Sequence, residues 1–295
     1  MTSCGENGQQ STSNDSQSTT QQNYVGPKVP EQITDEQERA NYTFSHFWED
    51  FDFSDTLKVQ NPDYGEQAVA NFIGYFPLVP KDSLVGGISR LFALSSVEKG
   101  SFNYMKYQLE NYLSNPNSPM RNDVFYEAFI TSIIGSDQID QIDKIRYQTR
   151  LEMVRKNQPG TQATNFSFLT AKGETMELNA VEAPFSILMF YAPGCPSCEE
   201  SISIMKNNPA FNTIIEKAGL AIIAVYPDGN EQIWKDYQVN IPDTWINGLD
   251  TKQTVLGEGL YVIPATPTIY LLDKDKKVLL KDTDILQIVR FFQSI

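Results

Sequence analysis

The chain has 295 residues, with 37 acidic and 23 basic side chains and a net charge of −14. This length has room for two domains, and the lack of a basic cluster makes nucleic acid and anionic lipid surfaces poor partners. No apolar run approaches the roughly 20 residues that a membrane-spanning helix needs, so the folded part is predicted to be at most tethered to a membrane.

The beginning of the chain is predicted to be a disordered polar tether. Residues 1–35 are rich in Ser, Thr, Gln, Asn and Gly and have almost no apolar side chain before Tyr24, so they bury too little surface to offset the entropy lost on ordering. Residues 2–5 (TSCG) match the end of a bacterial lipoprotein signal, which predicts a lipid anchor on Cys4. The alternative is an unpaired cysteine in a flexible tail.

Residues 36–156 are predicted to form a helical domain, because apolar and aromatic residues recur there at helical spacing. These stripes indicate core faces rather than a cofactor site, and His46 is interpreted as a packed histidine. A turn is predicted at residues 115–119, which contain two prolines. The stripes comprise Ala40, Phe44, Phe47, Trp48 and Phe51; Phe102, Met105, Leu109 and Tyr112; Val124, Phe125, Ala128 and Phe129; and Ile139, Ile142 and Ile145.

Residues 157–295 alternate strand and helix patterns. The predicted elements are a buried strand at 185–191, a central parallel strand at 220–226, a crossover helix at 231–237, a turn at 273–277, an antiparallel edge strand at 278–281 and a closing helix at 285–292. Trp234 and Trp245 are interpreted as packing residues. The alternative for Trp245 is a position beside a substrate groove.

Cys195 and Cys198 lie where a strand pattern changes to a helical one. At the start of a helix, backbone N–H groups and the positive end of the helix dipole face the first sulfur, which lowers its pKa and keeps thiolate present at neutral pH. Pro196 suits the first helical position, where a missing N–H group costs little. Cys198, one turn further, is placed to attack a mixed disulfide formed by Cys195. The acidic pair at 199–200 opposes the thiolate, so a strongly lowered pKa is not expected.

Three interpretations of this cysteine pair compete. The combination of the cysteine turn with Pro267, directly before a later apolar strand, favours a redox-active dithiol. A purely structural disulfide across so short a loop would contribute only roughly 2 kcal/mol. A zinc site needs about four ligands, whereas the chain offers only three cysteines and the single histidine His46. No metal site is therefore predicted, and no other cofactor is expected.

Residues from about 160 to 295 resemble the thioredoxin-like domains of membrane-anchored thiol-disulfide oxidoreductases in the bacterial envelope. The resemblance rests on the cysteine turn at 191–198, on residues 160–174 as the hairpin before the core, and on Pro267. It implies a thioredoxin-like fold, with a central mixed β-sheet flanked by helices. It also implies that Cys195 is the nucleophile and Cys198 the resolving cysteine.

The same resemblance implies where a substrate binds. The peptide bond before Pro267 is expected to be cis, which places Thr266 opposite the cysteines with its backbone available to an extended substrate segment. Pro196 and Ser197, between the cysteines, complete the predicted substrate-binding residues.

Three positions depart from the pattern of these relatives. The tryptophan usual before the first cysteine is Gly194, the buried acid six residues before that cysteine is Met189, and the glutamate three residues after the second cysteine is Ser201. The role of proton relay therefore has no matching residue.

The first domain resembles a helical domain of unassigned function that precedes thioredoxin-like domains in lipoproteins of Gram-negative anaerobes. The matching residues are Tyr42, His46, Trp48, Phe51, Asp52, Phe53 and Asp55, then 115–119, Arg121 and Asn122. The expected architecture is therefore a tether at 1–35, an all-helical domain at 36–156 and a thioredoxin-like domain at 157–295.

These features predict a thiol-disulfide oxidoreductase of the cell envelope, anchored at Cys4 on the periplasmic side or at the cell surface. It is expected to reduce disulfides in protein substrates and to be recharged by a membrane thiol donor. One alternative is a redox-inactive binding or scaffold lipoprotein that keeps the fold for peptide docking. A peroxidase is disfavoured, because Ala192 stands three residues before Cys195 where Thr or Ser would be needed.

The short connection at residues 156–160 contains a proline. It predicts that the helical domain packs on the thioredoxin-like domain in a fixed relation and leaves Cys195 open to solvent. The alternative is a spacer without further contacts.

Overall fold

The computed structural model describes residues 24–295, so Cys4 and most of the predicted tether lie outside the described residues. The first part of the described chain is helical. Its helices are α1 (Glu36–His46), α2 (Thr56–Val59), α3 (Gln67–Gly74), α4 (Lys81–Ser95), α5 (Lys99–Ser114), α6 (Asp123–Ile134) and α7 (Gln141–Arg155). The side chains of Asp35, Asn122 and Asp140 start α1, α6 and α7 by accepting hydrogen bonds from backbone N–H groups of the first turn.

The core of the helical domain is built largely from aromatic side chains. Phe44 stacks on Phe72 with ring centroids 5.0 Å apart, and Trp48 meets the same ring edge-on at 5.2 Å. Such ring pairs add to the stabilisation from buried area. Helix α1 ends at His46, so Trp48 and Phe51 are buried from the segment after the helix rather than from a continuing helix.

The predicted apolar stripe in α7 is wrong. Ile142 and Ile145 are 63% and 53% exposed, whereas Tyr147 and Val154 of the same helix are buried. The stripe was spaced by three residues throughout, and such spacing drifts around a helix of 3.6 residues per turn. Of the three isoleucines only Ile139, which precedes α7, belongs to the core.

Tyr24, which the sequence assigned to the tether, contacts the helical domain instead. Its ring lies edge-on to Phe51 with centroids 5.0 Å apart and stacks on Trp48 at 6.2 Å. Its hydroxyl donates a hydrogen bond to the carbonyl of Phe47, and its own carbonyl accepts one from the Asn71 side chain at 3.0 Å. The predicted tether boundary at residue 35 is therefore too late.

The second domain is a seven-stranded mixed sheet flanked by helices, which confirms the predicted architecture. The strands are β1 (Ser167–Thr170), β2 (Thr175–Glu177), β3 (Phe185–Phe190), β4 (Leu220–Tyr226), β5 (Ile246–Leu249), β6 (Thr268–Asp273) and β7 (Val278–Leu280), in the order β2-β1-β5-β4-β3-β6-β7. The helices are α8 (Pro196–Asn207), α9 (Pro209–Ala218), α10 (Glu231–Tyr237), α11 (Thr254–Gly257) and α12 (Ile285–Ser294). Within residues 24–295, no helix has the length and apolar character needed to cross a bilayer.

The register of the sheet brings two loops together. β3 runs parallel to β4 and antiparallel to β6, so Phe190 at the end of β3 pairs with Thr268 at the start of β6. The segment after β3 and the segment before β6 therefore meet at the same end of these two strands. The first contains Cys195 and the second contains Thr266.

The two domains are joined by specific contacts. Asn157, in the connection between the domains, is 3% exposed and is fixed to the second domain: it donates a hydrogen bond to the carbonyl of Leu260 at 2.8 Å and accepts one from the Thr164 N–H group at 2.8 Å. Arg121 forms an ion pair with Asp282 across the same boundary. The helical domain therefore packs on the thioredoxin-like domain, as the short connection predicts.

Candidate active site: a dithiol at the start of a helix

Cys195 is the residue that caps helix α8. It has an extended backbone conformation, and its sulfur accepts a hydrogen bond from the backbone N–H group of Cys198 at 3.3 Å. Pro196 occupies the first helical position, where it leaves no unpaired donor. The sulfur of Cys195 thus lies at the positive end of a helix, as the spacing predicts.

The two cysteines differ in exposure. Cys195 is half-buried, and its neighbours Gly194, Pro196 and Ser197 are exposed, whereas Cys198 is 0% exposed. Both are free thiols with their sulfurs 2.7 Å apart. A small shift is therefore enough to form a disulfide between them.

The two thiols differ in pKa because their surroundings differ. Burial raises the pKa of Cys195, but hydrogen bonds from the Cys198 thiol, from Thr266 and from the backbone N–H groups of Ser197 and Cys198 outweigh it and lower the pKa. Burial, followed by the hydrogen bond to Cys195, raises the pKa of Cys198 to about 12. Cys195 is therefore the thiol that ionises first, and attack by a thiolate is what disulfide exchange requires.

Thr266 faces Cys195 from the loop before β6. The peptide bond between Thr266 and Pro267 is cis. The Cys195 thiol donates a hydrogen bond to the Thr266 carbonyl at 3.3 Å, and the Thr266 hydroxyl lies 3.4 Å from the same sulfur. The structure therefore brings together all the predicted site residues except Cys4, which lies outside the described residues.

Below the dithiol lies a hydrogen-bonded group of buried side chains that the sequence did not predict as a group. Tyr191, directly after β3, donates a hydrogen bond to the Asn247 side chain at 2.9 Å, and Trp234 donates to the same oxygen at 3.0 Å. Tyr237, the last residue of α10, packs against Tyr191 with ring centroids 5.8 Å apart. The sequence signals were the position of Tyr191 next to the cysteine turn and the interpretation of Trp234 as a packing residue.

Met189 occupies the position of the buried acid of related proteins. It is 0% exposed and belongs to the same apolar cluster as Cys198. Trp245, by contrast, precedes β5 and lines a cavity of about 430 Å³ with Thr170 and Met176. Because β5 is parallel to β4 and β4 to β3, Trp245 lies at the opposite end of the sheet from the dithiol. It does not border the groove beside Cys195.

The described residues contain no group of three or more His, Cys, Asp or Glu side chains arranged to hold a metal ion. His46 stacks on Tyr42, with ring centroids 4.1 Å apart, and its Nδ1 atom lies 2.9 Å from the Tyr42 carbonyl. It is therefore a packed histidine of the helical domain.

Comparison with known proteins covers both domains. Residues 3–157 match a domain of unknown function, DUF5106, and residues 159–281 match the AhpC/TSA family. A crystal structure of a thioredoxin-like protein from Bacteroides caccae is 32% identical, covers 92% of this chain and 99% of that chain, and has a TM-score of 0.85.

Two further relatives match the second domain. The thiol-disulfide oxidoreductase ResA of Bacillus cereus is 29% identical over 135 residues, 46% of this chain and 75% of the relative. That of Bacillus anthracis is 29% identical over 132 residues, 45% of this chain and 73% of the relative. These similarities confirm the predicted thioredoxin-like fold behind a helical domain. The chain belongs to the family of proteins in which a DUF5106 domain precedes a thioredoxin-like domain of the AhpC/TSA family.

Proposed function

We propose that this protein is a thiol-disulfide oxidoreductase of the cell envelope that reduces disulfides in protein substrates. The observation that carries the proposal is the pair of unlike thiols. Cys195 is accessible, caps a helix and has a lowered pKa, whereas Cys198 is buried directly behind it. A purely structural cysteine pair needs no such difference.

The reaction has two steps. The thiolate of Cys195 attacks one sulfur of a substrate disulfide, so that a mixed disulfide forms and one substrate thiolate leaves. Cys198 then attacks the sulfur of Cys195, which releases the second substrate thiolate and leaves a disulfide between the two cysteines. Two electrons pass to the substrate, and a thiol donor in the membrane returns two electrons to the protein.

Thr266 supports binding of an extended substrate segment. Its backbone lies next to the Cys195 sulfur, and hydrogen bonds between backbones are a general means of holding an extended peptide segment. Pro196 and Ser197 are exposed on the other side of Cys195. The substrate therefore lies between the loop before β6 and the first turn of α8.

A lipid anchor at Cys4 places the protein at the membrane in this proposal. Its support is the sequence pattern around Cys4 and the polar segment that follows it. In this proposal the helical domain, held to the second domain by the ion pair between Arg121 and Asp282, limits the directions from which a protein substrate reaches Cys195.

Trapping of covalent intermediates tests the proposal. Cys198→Ala is expected to accumulate mixed disulfides with partner proteins, because the resolving thiol is missing. Cys195→Ala is expected to accumulate none, although Cys198 is retained. Mass spectrometry of the trapped species identifies the substrates and the donor.

The scaffold alternative has a different outcome. A reduction potential far below about −300 mV marks a disulfide that resists reduction by physiological thiols. Such a value, together with no exchange between the wild-type protein and any disulfide, would overturn the proposed function.

A further inference from the structure

The resolving step needs a base that the sequence does not show. Cys198 is fully buried and burial raises its pKa to about 12, so it holds its proton at neutral pH. The thiol must lose that proton before its sulfur attacks Cys195. Met189, at the position of the buried acid of related proteins, has no titratable group. The buried carboxylate of Asp250 is occupied by the Val255 N–H group at 2.7 Å and by the Thr254 hydroxyl.

Tyr237 is a buried polar residue in the same cluster as Cys198. Its side chain is 9% exposed, packs against the ring of Tyr191 and belongs to the same buried cluster as Ile202 of α8. Its hydroxyl oxygen is buried and has no close hydrogen-bond partner among the described residues, while the Glu199 carboxylate lies near enough to act on it through its charge and a long hydrogen bond. A buried hydroxyl without a close partner is costly, so this one is available to a thiol or a carboxylate that approaches it during the reaction.

The neighbouring tyrosines have partners already. The Tyr191 hydroxyl donates to Asn247 at 2.9 Å, and the Tyr226 hydroxyl donates to Asp228 at 3.3 Å. Tyr237 is thus the member of this group whose hydroxyl is available.

The charged and titratable groups that act on Tyr237 belong to the dithiol helix. Burial, then the negative charges of Glu199, Cys198 and Cys195, and last a hydrogen bond to Glu199 raise the pKa of Tyr237 to about 12. Tyr237 therefore keeps its proton at neutral pH and is able both to accept and to donate a hydrogen bond. Glu199 directly follows Cys198 and is exposed to solvent.

We propose that the Tyr237 hydroxyl relays the proton of Cys198 to the Glu199 carboxylate during resolution of the mixed disulfide. This inference rests on the proposed function, because it concerns the second step of that reaction.

The step balances without a further reagent. The Cys198 thiol gives its proton to the Tyr237 oxygen while the Tyr237 hydroxyl gives its own proton to Glu199. The Cys198 sulfur then forms a bond to the Cys195 sulfur, and the bond between Cys195 and the substrate sulfur breaks. The substrate leaves as a thiolate, which takes up a proton from water, and Glu199 returns its proton to water.

A single-turnover experiment on the full chain separates the two steps. Reduced protein is mixed with a fluorescence-quenched peptide disulfide, and samples quenched with acid are analysed by mass for the mixed disulfide at several pH values. Tyr237→Phe is expected to form the mixed disulfide at the wild-type rate and to resolve it about tenfold more slowly at neutral pH, because general acid–base catalysis is lost. The difference is expected to shrink as the pH rises, because hydroxide then removes the proton of Cys198.

Two further variants distinguish the relay from packing. Glu199→Gln, at an exposed position, is expected to slow resolution in the same pH range. Tyr226→Phe, at a neighbouring buried position whose hydroxyl faces Asp228, is expected to leave the pH profile unchanged.

Each other outcome counts against the relay. An unaltered resolving rate in both Tyr237→Phe and Glu199→Gln, in protein that forms the mixed disulfide normally, overturns the relay alone. Equal slowing by Tyr237→Phe and Tyr226→Phe at every pH means a packing effect and also overturns it. Wild-type protein that forms no mixed disulfide overturns the relay together with the proposed function.

Discussion

The amine of Lys281, just after the last strand, donates a hydrogen bond to the carbonyl of Val154 at 2.9 Å, at the end of the last helix of the helical domain. It donates a second to the carbonyl of Lys156 at 3.0 Å and lies 2.9 Å from the carboxylate of Asp123. Two residues further, the Thr283 N–H group donates to Ile269 in β6. The helical domain is therefore fixed beside the strand that begins after Pro267.

Replacement of Lys281 is expected to weaken this contact strongly. The Lys281 side chain is 4% exposed, so Lys281→Met leaves two carbonyls and a partly buried carboxylate without their cation. We expect a loss of about 3 kcal/mol in the free energy of unfolding, as for other broken buried ion pairs. Urea denaturation measures it. Lys274→Met is the control: the Lys274 side chain is 73% exposed and pairs with Asp275 at the surface, so its loss should change the free energy of unfolding by less than about 1 kcal/mol. Similar values for the two variants would contradict the prediction.

Asn157 is expected to be sensitive both to its side chain and to its backbone. Its φ angle is 52°, in the left-handed region, and its amide group fixes the connection between the domains to Leu260 and Thr164. Both Asn157→Ala and Asn157→Gly lose these hydrogen bonds, but glycine adopts the conformation without strain. We expect the alanine variant to be less stable by about 1 kcal/mol than the glycine variant. Thermal or urea unfolding compares them, and equal stabilities would show that the backbone conformation costs nothing here.

Tyr24 is expected to contribute to folding although it lies in a segment of polar composition. Tyr24→Ala removes a half-buried ring from contact with Trp48 and Phe51. The expected loss is about 2 kcal/mol, below the 3–5 kcal/mol typical of a fully buried aromatic side chain. Val25→Ala is the matched control, since Val25 is 70% exposed. If the two variants have the same free energy of unfolding, Tyr24 does not contribute to the folded domain and belongs to the tether.

Local patterns predicted the elements around the dithiol well. The predicted strand at 220–226 and helix at 231–237 match β4 and α10 residue for residue. The strand is a continuous apolar run, as expected for a strand buried on both faces. The helix starts after Asn230, whose side chain accepts a hydrogen bond from the Ile233 N–H group. Both signals are contained within a few residues.

Other features depend on long-range contacts and have no local signal. β5 is only four residues long and contains Asn247 and Gly248, which are unusual in strands. A side chain at Gly248 would meet the ring of Phe168 at 2.6 Å, so the glycine is explained by a strand about 80 residues away in the sequence. The contact between Lys281 and Val154 spans 127 residues. Tyr237 shares a buried cluster with Cys198, which lies about 40 residues earlier in the sequence.

The hydroxyl of Thr266 is expected to help set the pKa of Cys195. It lies 3.4 Å from the sulfur, and its hydrogen bond is one of those that lower the pKa of Cys195 against the opposing effect of burial. Thr266→Val keeps the shape of the side chain and removes this hydrogen bond. The pH profile for alkylation of Cys195 by iodoacetamide should therefore move to higher pH, with reaction a few-fold slower at neutral pH. Ser197→Ala is the control, because Ser197 acts through its backbone N–H group.

The same pKa predicts how the stability of the reduced protein depends on pH. The pKa of Cys195 is lower in the folded protein than in the unfolded chain. Its thiolate therefore stabilises the folded state at pH values above the unfolded pKa, and this stabilisation is lost as the pH falls through the folded pKa. Thr266→Val should reduce that part of the pH dependence. Cys195→Ser, which does not ionise in this range, should abolish it. If the pH–stability curve of the wild-type protein has the same shape as that of Cys195→Ser, the pKa of Cys195 is not lowered by folding. The expected effect of Thr266→Val on alkylation would then also be wrong.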